Sequence, residues 1–194
     1  GVYNTMLHPL KGMTIGSCVW YQGGSNRPLA DNGNCPAVNY EYLLYDFINM
    51  LRKNYNNEDM PFVVCEQANL PYDTVRDVRQ AQLNTIMRMS NDKVYFVSTS
   101  DTGATNYDVG IENMLHPSNK VPVGKRAAIC IMADKFGYEG EYSSPLYENM
   151  TVEGNKAILT FSHADGLKQV AKIQGETEIT GFEISADGES FVPA

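Results

Sequence analysis

Three short apolar runs alternate with amphipathic stretches over the first two thirds of this chain, and that alternation restricts its fold more than any other feature. Thr14–Tyr21, bounded by Gly12 and by Gly23-Gly24, reads as a buried strand. Met60–Cys65, introduced by Pro61, and Val94–Ser98 read as two more. Between the first two, Val38–Tyr55 places Tyr40, Leu43, Leu44, Phe47, Ile48 and Leu51 at three- and four-residue steps, one continuous stripe on a helix. Thr74–Met89 predicts a second helix, with Asp73 or Thr74 as N-cap and Val78, Ala81, Ile86 and Met89 among its apolar positions. Pro117–Phe136 predicts a third, with Val123, Ala127, Ala128, Ile131 and Met132 inward and Gly137 ending it.

Strand–helix alternation of this kind predicts an α/β fold, a parallel sheet with helices on its faces. In such sheets the ligand lies beyond the carboxyl ends of the strands. Here those ends carry Gln22–Asn26, Glu66–Asn69 and Asp101–Gly103, all polar. After Tyr138 the pattern changes. Gly154-Asn155 and Asp187-Gly188 are hairpin-turn dipeptides beside β-prone runs at Lys156–Phe161 and Ile179–Ser185. The expected organisation is an α/β domain over 1–140 and a β-rich region over 141–194 that stops before its β unit is complete.

The charge balance narrows the partners. A net charge of -8 over 194 residues repels nucleic acid phosphates and anionic lipid, so neither nucleic acid nor membrane is expected. No apolar run approaches the roughly 18 residues of a membrane span. The cysteines lack metal spacing, and the histidines form no HxH or HExxH pattern, so no metal and no cofactor is predicted. Cys18, Cys65 and Cys130 read as small buried hydrophobes, and Cys35, in a polar loop, as exposed or paired.

Two residues are natural candidates for hydrolytic chemistry. Ser25 follows a strand through Gly23-Gly24, where glycines bring backbone amides close to a substrate. It serves equally well as a polar turn residue. His116 sits where the third strand's loop meets the third helix, on the side of the sheet where a general base is useful. His8 lies near the start, and His163 in a turn of the β region.

Seven segments occur in an order that adds to this reading: NTMLHP (4–9), WYQGGSN (20–26), PFVVCEQAN (61–69), RQAQ (79–82), DTG (101–103), HPSNK (116–120) and GFEIS (181–185). Together they resemble the second half of a sialate O-acetylesterase, a carbohydrate esterase of the SGNH-hydrolase type. The resemblance implies a three-layer, flavodoxin-like parallel sheet, incomplete here, and removal of O-acetyl groups from sialic acid or a related sugar through a serine acyl-enzyme. It implies His116 as general base, and Gln22, Gly23 and Asn26 on the oxyanion and substrate side. Gln67, Asn69, Arg79 and Gln82 become possible sugar-binding residues, although Arg79 and Gln82, three apart, also fit a solvent-facing pair. The nucleophile of the family lies in a GQSN-like block upstream, so Ser25 becomes a loop residue and the 194 residues alone are expected to be inactive.

Two departures from the family pattern stand out. The QGE glutamate is Gly24, and the acid that precedes the histidine is replaced within Glu112-Asn113-Met114-Leu115-His116. Asp101, Asp108, Glu112 and Asn113 are candidates for the orienting partner. These departures keep open a catalytically inactive, carbohydrate-binding or structural relative. A small hydrolase using Ser25 is a further alternative. A missing first strand would leave a sheet edge open, so a homodimer, or docking with the nucleophile-bearing part, is expected. By resemblance the location is secreted, periplasmic or lysosomal.

Overall fold

The computed structural model describes residues 1–26, 37–68, 73–102, 119–167 and 182–193. Three parallel strands, β1 (Cys18–Trp20), β2 (Phe62–Cys65) and β3 (Val94–Val97), form one sheet in the order β1-β2-β3. Cys18 pairs with Phe62, and Phe62 with Val94, so the strands run nearly level. Helix α1 (Ala37–Asn54) connects β1 to β2, α2 (Asp73–Arg88) connects β2 to β3, and α3 (Val121–Phe136) follows β3. The expected mixed α/β class and parallel sheet are what the chain adopts.

Side-chain alternation along β2 explains why its run is uninterruptedly apolar. Phe62 and Val64 face α1 and α2, in a core with Tyr40, Leu44, Ile48, Leu51, Val78, Ala81, Ile86 and Met89. Val63 and Cys65 face the other way, against Val123, Ala127 and Cys130 of α3. Both faces are covered, so every position of the strand is buried. Each fully buried aliphatic side chain such as Ile48 contributes about 1.5–3 kcal/mol. The α3 layer packs on β2 and β3, whereas Val19 of β1, on that same face, is 49% exposed. The outer edge of β3 is partly capped: the Ser98 amide donates to Ser144 Oγ at 2.9 Å, and Ser144 N–H to the Phe96 carbonyl at 3.4 Å.

Several sequence expectations need adjustment. The first strand is shorter than Thr14–Tyr21, because only Cys18–Trp20 finds ladder partners on β2. Helix α3 starts at Val121, not Pro117. Asn119 and Lys120 stay outside it, Asn119 Oδ1 accepts from the Val121 amide at 3.3 Å, and Pro122 occupies the first turn, where its missing N–H costs nothing. Its buried stripe is Val123, Ala127 and Cys130, and Met132 is exposed. Apolar residues surround this helix on all sides, so composition alone does not select the inward face. Leu43 of α1 is likewise exposed, beyond the stripe of Tyr40, Leu44, Ile48 and Leu51. Gly137 ends α3 as expected, in the left-handed conformation with φ +69°.

The chain divides into two compact units, Gly1–His163 and Ala164–Ala194. The first also carries the antiparallel hairpin of β4 (Leu146–Glu153) and β5 (Lys156–Ser162), turned at Gly154-Asn155 with Gly154 at φ +62°. The second contains the short hairpin of β6 (Glu183–Ile184) and β7 (Val192–Pro193). In its turn Asp187 Oδ1 accepts from Ser185 Oγ and from the amides of Glu189 and Ser190, each at 2.8 Å. Those donors hold the carboxyl well below its usual range.

A buried arginine joins the loops at the amino end of the sheet. Arg52, near the end of α1, donates from Nε and Nη2 to the Met60 carbonyl at 3.1 and 3.0 Å, and also to the Asp92 carbonyl. It therefore fixes the approaches to both β2 and β3. Arg52→Ala should lower the unfolding free energy by about 2–4 kcal/mol, because it strands the carbonyls the guanidinium serves. Urea unfolding of the purified chain measures this, and a change below about 0.5 kcal/mol would contradict the role assigned to Arg52.

Candidate active site

Polar side chains converge on the carboxyl ends of β1 and β2, and the residue that joins them is Gln82. It lies on α2, one turn after Val78, on the helix face that meets the sheet, and it is 0% exposed. Its Oε1 accepts from the Gln67 backbone amide at 2.8 Å. Its Nε2 donates to the Gln22 carbonyl at 3.1 Å and lies 3.4 Å from the Cys65 carbonyl. One side-chain amide thus satisfies backbone groups beyond the ends of two adjacent strands, where ladder partners run out. Arg79 and Gln82 are therefore not a solvent-facing pair.

The turn after β1 is held from a second side. The Tyr40 hydroxyl on α1 donates to the Gln22 carbonyl at 2.9 Å, and burial pushes its phenol above the usual range, keeping it a neutral donor. Gly23 has φ +152°, and a Cβ there would lie 3.0 Å from Val78 Cγ1 and 3.3 Å from Gln67 Oε1. Both the conformation and the space demand glycine. A single 3-10 turn follows over Gly24–Asn26, closed by the Asn26 amide donating to the Gly23 carbonyl at 2.9 Å. Gln22 Nε2 donates to Asn26 Oδ1 at 2.6 Å. That bond fixes the Asn26 amide with its oxygen engaged and its Nδ2 donors without a partner among the described residues. Ser25 is exposed, and its hydroxyl bonds to no described residue.

Beyond β2, Glu66 is a hub that pattern reading does not single out. The residue is 8% exposed. Arg79 donates to its Oε1 from Nε at 2.8 Å and from Nη2 at 2.5 Å. Its Oε2 accepts from Ser98 Oγ at 2.8 Å, Ser100 Oγ at 3.1 Å and the Thr99 amide at 3.1 Å. A buried carboxylate is tolerated only with this many donors. Its signal in the sequence is an ionisable residue directly after a fully buried strand. Glu66 and Arg79, with Arg76, Gln80, Leu83 and Phe96, also line a cavity of about 210 Å³. Arg126 on α3 clamps Asp101 through two bonds of 2.6 Å and donates to the Ser98 carbonyl at 2.8 Å, which holds the Asp101 carboxyl below its usual range.

Of the residues singled out from sequence, Gln22, Gly23, Asn26, Gln67, Arg79 and Gln82 gather at this end of the sheet, with Asp101 paired to Arg126. His116, Asn69, Asp108, Glu112, Asn113 and Cys35 lie outside the described residues. His8 sits in an N-terminal turn, edge-on to Tyr3. His163 bonds Glu141 at 2.7 Å and meets the Tyr142 ring edge-on. Cys18, Cys65 and Cys130 are free thiols, which burial pushes up to about 11, 11 and 12. Among the described residues, no cluster of His, Cys, Asp and Glu has the makings of a metal site, and no helix is long and apolar enough to cross a membrane.

Polar groups at the carboxyl edge of a parallel α/β sheet lie where folds of this class bind their ligands. Comparison makes the assignment specific. Residues 2–128 match the family described as carbohydrate esterase, sialic acid-specific acetylesterase, and the chain belongs to that family. The crystal structure of a carbohydrate acetylesterase from Xanthomonas citri is similar, with a TM-score of 0.76 and 24% identity over 99% of this chain and 42% of that one. The chain thus spans less than half the length of that relative, and the likeness establishes the fold. No curated protein matches the chain.

Gln82→Leu keeps the bulk of the side chain and removes its hydrogen bonds. It should destabilise the chain by about 1–3 kcal/mol, chiefly through the stranded Gln67 amide, since Tyr40 still serves the Gln22 carbonyl. Chemical denaturation tests this, and wild-type stability in the variant would contradict the brace.

Proposed function

We propose that this chain is the histidine-bearing part of a carbohydrate esterase that removes O-acetyl groups from sialic acid or a related sugar. The reaction runs through a serine acyl-enzyme. His116 takes the proton of the attacking serine and returns it to the departing sugar hydroxyl. In the second half it activates water in the same way. The ester carbonyl develops negative charge in each step, and donors fixed in advance stabilise it.

The observation that carries this reading is the Gln22–Asn26 turn. It is anchored by Gln82 and Tyr40, and the Gln22 side chain turns the Asn26 amide so that its N–H group is the open end. A fixed, uncharged N–H donor beside a glycine-built turn suits an oxyanion. Gly23 gives the backbone its close approach, and Gln67 and Asn69 are assigned to the sugar side, while Arg79 is spent on Glu66 and holds the site's edge. Gln82 acts through the turn it braces. Asp101 is committed to Arg126, so the partner that orients His116 is assigned to Asp108, Glu112 or Asn113.

The nucleophile is assigned to a segment of the parent protein outside these 194 residues, which alone are then inactive. The uncovered face at Val19, on the edge strand β1, is where that segment or a second copy of the chain would pack. The family's setting points to a secreted, periplasmic or lysosomal protein.

The second reading, a catalytically inactive sugar-binding relative, draws on the engagement of Asp101 by Arg126. The two are separated by turnover of an aryl acetate and of an O-acetylated sialic acid by the full-length protein. His116→Ala should lower kcat by about 10³-fold or more while leaving the fold intact. Undiminished turnover in that variant would sink the assignment of the base, and no turnover by the wild type would favour the sugar-binding reading.

A further inference from the structure

The Gln67 side chain is a buried polar group whose amide is left without a partner among the described residues. The residue is 6% exposed. Its backbone N–H is bound by Gln82, but its side-chain amide makes no hydrogen bond with a described residue. The sealed polar side-chain atoms without a hydrogen bond among the described residues are Trp20 Nε1, Tyr21 OH, Asn54 Nδ2 and Asp134 Oδ2. The Gln67 amide is not one of them, so it opens to the surface. An amide held in a largely buried place without a partner loses about 1–3 kcal/mol, and a ligand or solvent must recover it.

Gly24 makes the room. A Cβ at Gly24 would stand 3.3 Å from Gln67 Nε2 and 3.7 Å from its Oε1, and one at Gly23 would stand 3.3 Å from Oε1. The amide therefore lies flat against two glycines of the turn that presents Asn26. A Cβ at position 24 would crowd Nε2, so the amide would have to shift. The bare backbone at Gly24 thus leaves room for the amide at 67.

We propose that Gln67 is a specificity-determining residue that binds a sugar hydroxyl pair, with Gly24 as the position that admits it. The proposal rests on the esterase reading for the identity of the ligand. An amide offers an acceptor and two donors side by side and carries no charge. A hydroxyl both donates and accepts, so adjacent hydroxyls satisfy both ends of the amide together. A carboxylate would use only the donors, and a cation only the acceptor. The nearest charged pair, Glu66 and Arg79, is internally compensated, which favours an uncharged group at this spot.

The test titrates N-acetylneuraminic acid into the full-length wild type, Gln67→Met and Gly24→Ala, followed by calorimetry, with circular dichroism checking the fold. Gln67→Met keeps the volume, and Gly24→Ala keeps the amide but displaces it. Each should weaken sugar binding by about tenfold. Each should also lower kcat/KM for an O-acetylated sialic acid by about tenfold more than for 4-nitrophenyl acetate, which has no hydroxyls. Wild-type sugar affinity in Gln67→Met, parallel losses on both esters, or no sugar binding by the wild type would each overturn the proposal. A wild type that binds the sugar but turns over neither ester refutes the esterase reading alone, and the titration still decides the role of Gln67.

Discussion

The site end of this sheet depends on one buried side-chain amide. Beyond the last ladder pair, β1 and β2 leave the Gln22 carbonyl and the Gln67 amide without strand partners, and Gln82 supplies both. Because Gln82 belongs to a helix packed through Val78, Ala81 and Ile86, the turn inherits the rigidity of the core. A site positioned by a loop alone would lose the precision that a binding or catalytic site needs. The backbone at Gln22–Asn26 is therefore set by the same packing that stabilises the domain.

Around that brace, polar groups divide by task. Glu66 and Arg79, with Ser98, Thr99 and Ser100, join the ends of β2 and β3, and Arg126 ties the same loop to α3 through Asp101 and the Ser98 carbonyl. These bonds consume their partners and leave little capacity for a ligand. The unspent capacity lies at Asn26 Nδ2 and the Gln67 amide, both against the glycine turn. This contrast separates scaffold from site more sharply than polarity alone.

Much of the fold was legible because period and burial coincide. The α1 stripe of Tyr40, Leu44, Ile48 and Leu51 and the uninterrupted run of β2 follow directly from spacing. The extent of β1 was less legible, since a strand ends where its neighbour ends, and the neighbour lies some forty residues on. The inward face of α3 was ambiguous because apolar residues surround it. The hub at Glu66 was hidden for a different reason, and so was the bracing role of Gln82, which the motifs had marked only as a possible sugar-binding residue. A polar residue on a helix or at a strand end reads as solvent-facing unless its partners are known, and those of Gln82 lie 15 and 60 residues away. The seven ordered motifs carried the family, while the departure at Gly24 became intelligible only once Gln67 was seen beside it.

On the proposed function, the Gln22–Asn26 turn serves the oxyanion and the sugar, and Ser25 within it is not the nucleophile. Labelling the full-length protein with a fluorophosphonate and locating the adduct by peptide mass spectrometry tests this most directly. The adduct should fall on a serine outside residues 1–194, with none on Ser25. An adduct on Ser25 would contradict it.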